Sequence, residues 1–387
     1  MIEIKNPEDC CGCTACASIC PHDAITMQPD RLGFLYPSVN HDKCVDCGLC
    51  DKVCQFSENY DKSHLLSTPA VYAVRHKKEE EILKSRSGAA FVAISDYVIE
   101  QGGVVYGAGY EGKFRVVHKR ATTKSERDEF RGSKYVQSDL SGVFKQIKKD
   151  LLNDKLVLFT GTPCQTSGLN SFIGKRLRMN LYLIDIVCHG VPSPYVWRDY
   201  LTYLEKKYND SIISVNFRDK ESFGWRDHQE SYILKNKGKI ASKTYTNLFY
   251  NHIIFRHSCG KCFFTNLKRP SDITLADFWG WEKSVPEMNI DDKGISLVVL
   301  NSEKGTSIFD AVKEKVNYAM VNLSNCSQSR LEYPTPPHHL RPQFEEDYSR
   351  KSFKYVLKKY ETPESDSILL KLIKRIIKKC QTIIVKK

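Results

Sequence analysis

Nine of the fifteen cysteines lie in the first 54 residues, and eight of them repeat one spacing. The first four follow C-x2-C-x2-C-x3-C-P, and the second four repeat it without the proline. Three thiolates on one tight turn can hold three corners of an iron–sulfur cubane, whereas the fourth reaches the neighbouring cluster. The spacing therefore predicts two [4Fe–4S] clusters. The predicted ligands are Cys10, Cys13, Cys16 and Cys54 for cluster one, and Cys20, Cys44, Cys47 and Cys50 for cluster two.

A pair of zinc sites is the alternative for these eight thiolates, because C-x2-C also suits zinc. The doubled spacing favours clusters over zinc. Cys11 lies off the register of the repeat, and the pattern gives it no ligand role.

Four further cysteines lie in distinctive contexts: Cys164 in GTPCQ, Cys188 in DIVCHG, and Cys259 with Cys262 in HSCGKC. Each of the first two follows a predicted strand. Because the fold brings together the loops at the ends of adjacent strands, these two thiols and the distant C-x2-C pair can close one four-ligand site. Four soft ligands suit a [4Fe–4S] cluster or zinc. A third interpretation is that one or two of these cysteines are ordinary buried core residues.

The elements that must position these cysteines change in type along the chain. Residues 1–60 are rich in cysteine and lack long periodic helices, which is typical of a small module with an inorganic core. After a linker predicted at 61–68, β-branched runs alternate with helical patterns, and the strands predicted at 156–160 and 181–187 each lead into a cysteine loop. The predicted fold class is α+β and α/β. A small bacterial-type dicluster ferredoxin module precedes a larger α/β domain with a mixed sheet, whose ligand sites lie at strand ends.

Composition and charge set further bounds. The N-terminus, MIEIKNPEDC, has neither the basic start nor the apolar run of a signal peptide, which predicts a reducing, cytoplasmic location and thiols that bind metal. No stretch approaches the roughly 18 apolar residues that a spanning helix needs. The net charge of +12 is not gathered into a basic stripe with interleaved aromatic residues, so we predict no nucleic-acid partner.

Five segments beyond the cysteine-rich module carry a resemblance to a known family. They are Ser87-Gly88, GSKYVQS at 132–138, GTPCQTSGL at 161–169, DIVCHGVPSP at 185–194, and the block at 259–280 that contains RPSDITLADFWG. From about residue 69 to 320 the chain resembles the beta subunit of coenzyme F420-reducing hydrogenases and dehydrogenases, a family that includes the plant 7-hydroxymethyl chlorophyll a reductase. The resemblance predicts beta-subunit parts at 69–154 (flavin-binding) and 155–325, followed by an extension at 326–387.

The resemblance implies FAD, and beside it a third [4Fe–4S] cluster held by Cys164, Cys188, Cys259 and Cys262. Backbone N–H groups at a helix start suit a pyrophosphate, and polar donors suit the flavin ring. The flavin-binding residues that the resemblance implies are Ser87, Gly88, Ser133, Lys134, Tyr135, Gln137, Ser138, Thr160, Gly161 and Thr162. No catalytic residue is assigned. His189 is interpreted as supporting the Cys188 loop rather than as a proton donor.

Two positions depart from the family pattern. The family often has a second glycine after the serine and glycine, where this chain has Ala89, and a glycine before the aspartate of DFWG, where it has Ala276. Both changes keep a small residue. They leave the flavin prediction in place and the approach of the substrate open.

A flavin exchanges two electrons and each cubane cluster one, so together they predict an iron–sulfur flavin-dependent oxidoreductase. The predicted partners are a redox carrier (ferredoxin, deazaflavin or another) and a small or lipid-linked organic substrate that the protein reduces. One alternative is an F420-linked electron-transfer subunit of a larger complex. Another is a non-catalytic ferredoxin-like carrier or a zinc-bearing scaffold.

The C-terminal extension ends in a predicted basic amphipathic helix. Apolar residues from Leu369 to Ile384 recur at three- and four-residue steps, and basic residues from Lys371 to Lys379 form the opposite face. A helix of this kind can lie in the headgroup plane of an anionic membrane, which predicts peripheral contact with the inner face of the membrane. Docking on the domain or on a partner is the alternative.

Overall fold

The computed structural model describes residues 1–58, 69–326 and 328–362. The predicted linker at 61–68 and the predicted amphipathic helix near the C-terminus lie outside the described residues. The α-helices are α1 (Ala15–Ile19), α2 (Leu49–Lys52), α3 (Glu79–Lys84), α4 (Ala90–Glu100), α5 (Lys124–Asp128), α6 (Val143–Leu152), α7 (Pro163–Leu177), α8 (Pro194–Tyr208), α9 (Lys220–Phe223), α10 (Thr244–Tyr250), α11 (Glu303–Asp310), α12 (Arg341–Arg350) and α13 (Phe353–Tyr360). The strands are β1 (Ile25–Pro29), β2 (Leu35–Val39), β3 (Ala70–His76), β4 (Val104–Glu111), β5 (Arg115–Ala121), β6 (Val157–Thr160), β7 (Leu181–Ile186), β8 (Ile212–Asn216), β9 (Glu230–Leu234), β10 (Gly238–Ser242), β11 (Ile273–Asp277), β12 (Ser296–Leu300) and β13 (Val316–Met320).

The N-terminal module repeats its backbone as well as its cysteine spacing. In the first cysteine turn Gly12 and Thr14 have φ values of 69° and 66°, and in the second turn Asp46 and Gly48 have 49° and 72°. Such left-handed residues reverse the chain within a few residues, so each turn wraps its thiols around one point. The turns lead into α1 and α2, and the antiparallel β1–β2 hairpin lies between them.

The larger part of the chain forms one eight-stranded mixed sheet in the order β13-β3-β12-β11-β7-β6-β4-β5. Its centre, from β11 through β7 and β6 to β4, is parallel, and the outer pairings are antiparallel. The predicted α/β class with a mixed sheet is therefore confirmed. Strands β8, β9 and β10 lie outside this sheet and form a separate three-stranded sheet, in which β8 pairs with β9.

Both faces of the sheet are covered, as its alternating apolar residues require. On β6, Leu158 packs towards α4 and α11, whereas Val157 and Phe159 pack towards α6 and α7. Helix α1 of the N-terminal module lies against α7, where Gly168 faces Cys13. A Cβ at Gly168 would lie 2.7 Å from the Cys13 sulfur, so the two parts of the chain meet with little spare room.

The predicted division at 154/155 falls inside this sheet, since β4 of the first part pairs with β6 of the second. Helices α12 and α13 pack with α8 in a further apolar cluster. The domain boundaries stay a prediction. In the described part of the chain, no helix combines the length and the apolar character needed to cross a bilayer.

The Gly88-Ala89 step begins α4 in a strained conformation. Ala89 is the residue before the first turn of α4 and has a φ of 64°. This left-handed conformation favours glycine, which gives a physical reason for the second glycine that the family often has.

We expect Ala89→Gly to stabilise the folded protein by about 0.5–1.5 kcal/mol, because glycine adopts a positive φ without steric cost. The measurement is the thermal midpoint of the anaerobically purified chain. Ala93→Gly is the matched control, since Ala93 is buried inside α4 and its replacement should destabilise the protein. A lower midpoint for Ala89→Gly would contradict the assignment of strain to this residue.

Candidate functional site

The second cysteine set, defined as Cys20, Cys44, Cys47 and Cys50, lines one small cavity of about 20 Å³ in the N-terminal module. Backbone N–H groups point at two of its sulfurs. The Ile2 amide donates to the Cys50 sulfur at 3.3 Å, and the Ala24 amide donates to the Cys20 sulfur at 3.4 Å. Such donors stabilise negative charge on sulfur. The structure thus brings together the four residues predicted to hold cluster two.

The first cysteine set, defined as Cys10, Cys13, Cys16 and Cys54, also converges. Burial and the nearby Cys13, Cys10 and Cys54 thiols raise the pKa of Cys16 well above its ordinary value. Burial, with Cys13 and Cys10, raises the pKa of Cys54 to about 12. Cys54 thus reaches across from the second turn, which is the crossed arrangement that the spacing predicts.

The third cysteine set, defined as Cys164, Cys188, Cys259 and Cys262, surrounds a cavity of about 40 Å³. The adjacent parallel strands β6 and β7 end at Thr160 and Ile186, so the loops that carry Cys164 and Cys188 meet at one edge of the sheet. The Val191 amide donates to the Cys259 sulfur at 3.4 Å. A single water needs roughly 10–15 Å³, so the space between these thiols admits a larger group.

The four thiols of the third set line one common cavity. Among the described residues, no three His, Cys, Asp or Glu side chains are placed to hold a single metal ion. Zinc draws its four sulfurs to about 2.3 Å from one centre, whereas a cubane holds each thiolate at a separate corner. Iron, sulfide and zinc analysis of the purified protein distinguishes the two. The ligand assignments themselves stay a prediction.

A large cavity of about 690 Å³ adjoins the third set, within the range of 300–1,000 Å³ that is common for organic ligands. Cys188, His189, Gly190 and Val191 line both cavities, so they form a shared wall. The large cavity opens at the starts of α4 and α7. Eight of the ten residues predicted to bind flavin line it, namely Ser87, Ser133, Lys134, Tyr135, Ser138, Thr160, Gly161 and Thr162.

Gly88 and Gln137, the other two predicted flavin residues, lie outside the lining. A Cβ on Gly88 would lie 2.1 Å from the Val74 carbonyl oxygen and 2.7 Å from the Ser296 amide, so Gly88 permits close packing of β3 and β12. The Gln137 side-chain amide donates to the Cys11 carbonyl at 2.8 Å, which places it at the border with the N-terminal module.

Two lining residues donate hydrogen bonds from their side chains to backbone carbonyl groups. The Lys134 amine donates to the Glu129, Arg131 and Gly132 carbonyls, which uses all three of its protons and holds this loop in place. The Ser87 hydroxyl donates to the Ile295 carbonyl at 2.6 Å. Both residues therefore shape the cavity wall.

The cavity is strongly basic, a feature that the motifs did not reveal. Among the described residues, its basic lining residues are Arg86, Arg131, Lys134, Arg218, Arg226 and Arg330, and its acidic one is Asp277. The Arg86 and Arg218 side chains are nine-tenths buried and share Asp277, at 3.9 Å and 2.7 Å. Burial, and then repulsion from Arg218, lowers the pKa of Arg86 to about 10.

These two guanidinium groups are not fully paired. Arg86 Nε and Nη1 and Arg218 Nε are buried and have no hydrogen-bond partner among the described residues. Two buried cations that share one carboxylate leave an excess positive charge, which an anionic ligand would balance. Trp279 lies under Arg218, 5.6 Å from ring centre to guanidinium, and stacks on Trp225. The one sequence feature that could have indicated this basic lining is the position of Arg86 directly before Ser87.

His189 lies in the shared wall, and its Nε2 atom is 2.9 Å from Nε2 of His252. Burial, followed by repulsion from His252 and Arg330, lowers the pKa of His189 to about 3. The ring is therefore neutral at neutral pH. This agrees with a role in holding the Cys188 loop rather than in donating a proton as an imidazolium.

Two repeated cysteine turns docked on a mixed α/β sheet define an iron–sulfur electron-transfer protein. Residues 9–57 match the 4Fe-4S dicluster domain. Residues 154–325 match the family described as the C terminus of the coenzyme F420 hydrogenase/dehydrogenase beta subunit. Residues 154–325 are therefore similar to the C-terminal part of this beta subunit, and a ferredoxin-type domain precedes them in the chain. The resemblance inferred from the motifs is confirmed.

Among solved structures, a chain of the xenon-derivatized F420-reducing [NiFe] hydrogenase complex from Methanosarcina barkeri is similar at 17% identity and a TM-score of 0.46. The match covers 76% of this chain and 92% of that one. No curated protein matches the sequence.

Proposed function

We propose that the protein is an iron–sulfur flavoprotein oxidoreductase that passes electrons between FAD and [4Fe–4S] clusters and reduces a small or lipid-linked organic substrate. The observation that carries this proposal is the shared wall, in which Cys188 and its neighbours separate the third cysteine set from the large cavity by one loop. A cofactor in the large cavity would lie directly beside a cluster in the small one.

The residues of the large cavity fit FAD. Its volume is in the range for organic cofactors, and residues of the first turns of α4 and α7, where free backbone N–H groups suit a phosphate, line it. The unpaired N–H groups of Arg86 and Arg218 suit a phosphate. Bound there, the flavin would supply two-electron chemistry, and clusters in the cysteine sets would supply single electrons.

The chain's own residues do three things in this proposal. The thiols of the third set hold a cluster against the shared wall. The Arg86 and Arg218 pair binds an anionic group and orients the molecule that carries it. The Lys134 amine fixes the loop at 129–132, and Gly88 lets the segment before α4 pack closely on β3 and β12.

The second candidate is an F420-linked electron-transfer subunit of a larger complex, which the family match of residues 154–325 favours. The two candidates differ in whether the chain acts alone. Oxidation of a reduced deazaflavin by the purified chain, with no other subunit present, supports an independent enzyme. Activity that appears only after partner subunits are added supports the second candidate.

The composition of the purified protein tests the proposal. We expect about twelve irons, twelve sulfides and one FAD per chain after anaerobic purification, because twelve thiols form three four-ligand sets. The measurement combines iron, sulfide and zinc analysis with flavin extraction. Stoichiometric zinc in place of iron would show that the sets are zinc sites, and a chain without flavin would leave a ferredoxin-like carrier.

A pair of variants separates the role of charge from that of folding. Arg218→Gln should lower the flavin content of the purified protein, because Arg218 is buried and incompletely paired. Arg226→Gln is the matched control. Arg226 lines the same cavity, but its side chain is 57% exposed and pairs with Glu282 and Asp292. Equal effects of the two variants would argue against a specific anion contact at Arg218.

A further inference from the structure

The first and third cysteine sets meet at a junction that the sequence pattern did not predict. Cys11, which has no ligand role in the repeat, is buried and lines the third-set cavity. It shares that cavity with Cys164 of the third set, and its thiol also lies near Cys13 of the first set. One side chain therefore spans the gap between the two sets.

Gln55 strengthens this junction from the N-terminal side. It follows Cys54 directly and is only 3% exposed. Its Nε2 donates to the Cys11 sulfur at 2.9 Å and to the Cys164 carbonyl at 3.0 Å. A single amide group thus ties the first cysteine turn to the start of α7.

Arg256 enters the junction from the other side. It lies three residues before Cys259 and is 1% exposed. Its Nε donates to the Cys10 carbonyl at 2.7 Å, its Nη2 to the Leu35 carbonyl at 2.9 Å, and its Nη1 to Gln137 Oε1 at 3.0 Å. The same Nη2 lies 3.6 Å from the Cys10 sulfur. The guanidinium therefore holds the backbone and the sulfur of a predicted cluster ligand.

The charge of Arg256 has no ordinary counterion. Its hydrogen-bond partners are carbonyl groups and the Cys10 sulfur, and in the described part of the chain no carboxylate forms an ion pair with it. A cation buried to this degree is costly unless negative charge lies nearby. Thiolates that ligate a cluster supply that charge, so the residue fits a loaded first set.

We propose that Arg256, Cys11 and Gln55 form the junction across which single electrons pass between a cluster in the first set and a cluster in the third. This inference rests on the proposed function. The step is a one-electron exchange in which one cluster is oxidised as the other is reduced, and no bond or proton moves. Arg256 is a positioning residue: it fixes Cys10 and favours the more negative, reduced state of the first cluster.

The test compares Arg256→Gln and Arg256→Lys in the full chain by redox titration followed with electron paramagnetic resonance. Arg256→Gln should lower the midpoint potential of one ferredoxin-type cluster by about 59 mV, a tenfold change for one electron. Arg256→Lys keeps the charge and should recover most of that change. Lys145→Gln is the control, because Lys145 pairs with Asp23 across the same border in solvent and should leave the potentials unchanged.

Twelve irons in Arg256→Gln with unaltered midpoint potentials would overturn the proposal. If that variant loses iron, Cys44→Ala decides instead, because it disables the second set and leaves the first and third. In Cys44→Ala, the two remaining clusters should interact magnetically when both are reduced, and isolated paramagnetic signals would refute the junction.

Cys11→Ala should retain full iron, whereas a loss of about four irons would make Cys11 a ligand. Fewer than twelve irons in the unaltered chain would instead count against the proposed function.

Discussion

Replacing Cys164 with alanine should remove about four of twelve irons and change the flavin absorption spectrum in the same protein. Cys164 lies in the first turn of α7, where its sulfur faces the third-set cavity. The neighbouring residues Gly161 and Thr162 line the large cavity. A change at this one residue should therefore reach both cofactor sites. Iron analysis and absorption spectroscopy of the anaerobic protein measure the two effects.

Two other cysteines supply the controls for Cys164→Ala. Cys44→Ala should also lose iron but leave the flavin spectrum unchanged, since the second set lies in a separate cavity. Cys326 is fully buried in an apolar cluster and belongs to no cysteine set, so Cys326→Ala should retain all the iron. Full iron and an unchanged flavin spectrum in Cys164→Ala would refute the third set.

Replacing Gly88 with alanine should destabilise the folded protein by about 3 kcal/mol or more. The added Cβ would lie 2.1 Å from the Val74 carbonyl and 2.7 Å from the Ser296 amide, and both are backbone atoms of sheet strands that cannot turn aside. The sheet must open locally to admit one methyl group. The thermal midpoint of the anaerobic protein should fall by roughly 6–12 °C.

Gly112→Ala is the control for this loss of stability. Gly112 has a φ of 53° and open space where a Cβ would lie, so its replacement should cost only about 1 kcal/mol of backbone strain. If Gly88→Ala kept a normal midpoint and lost only flavin, Gly88 would be a cofactor contact rather than a packing residue. The neighbouring Ala89→Gly change should raise the thermal midpoint instead. The cause is lack of space for a side chain at residue 88, whereas at residue 89 it is the strained backbone conformation.

The cysteine sets could be predicted from the sequence because the spacing of the cysteines determines which thiols can share a cluster. Two copies of one turn fix which thiols face inward, and Cys54 can reach the first set only by crossing between turns. The parallel order of β6 and β7 follows from alternating strands and helices, and it brings Cys164 and Cys188 to one edge. These are local or topological regularities, so the sequence contains them directly.

Other features of the site depend on contacts between residues far apart in the chain. Arg86 and Arg218 meet around Asp277, and no spacing relates the three. Gly88 is predicted to contact the flavin, and the strand formed by residues 296–300 also packs closely against it. The basic cavity and the packing role of this glycine therefore emerge only when the sheet order is known.

The sequence by itself determined the two ferredoxin-type cysteine turns, the alternating α/β pattern and the resemblance to the beta-subunit family, because each depends on short motifs or on periodicity. Only the tertiary structure decided that Cys11, Gln55 and Arg256 occupy the border between the first and third cysteine sets. Docking of α1 against α7 places them there, and residues 11 and 256 are too distant in sequence for any local pattern to register their contact. Burial makes the Arg256 charge important, because a guanidinium removed from water needs negative charge inside the protein to stabilise it.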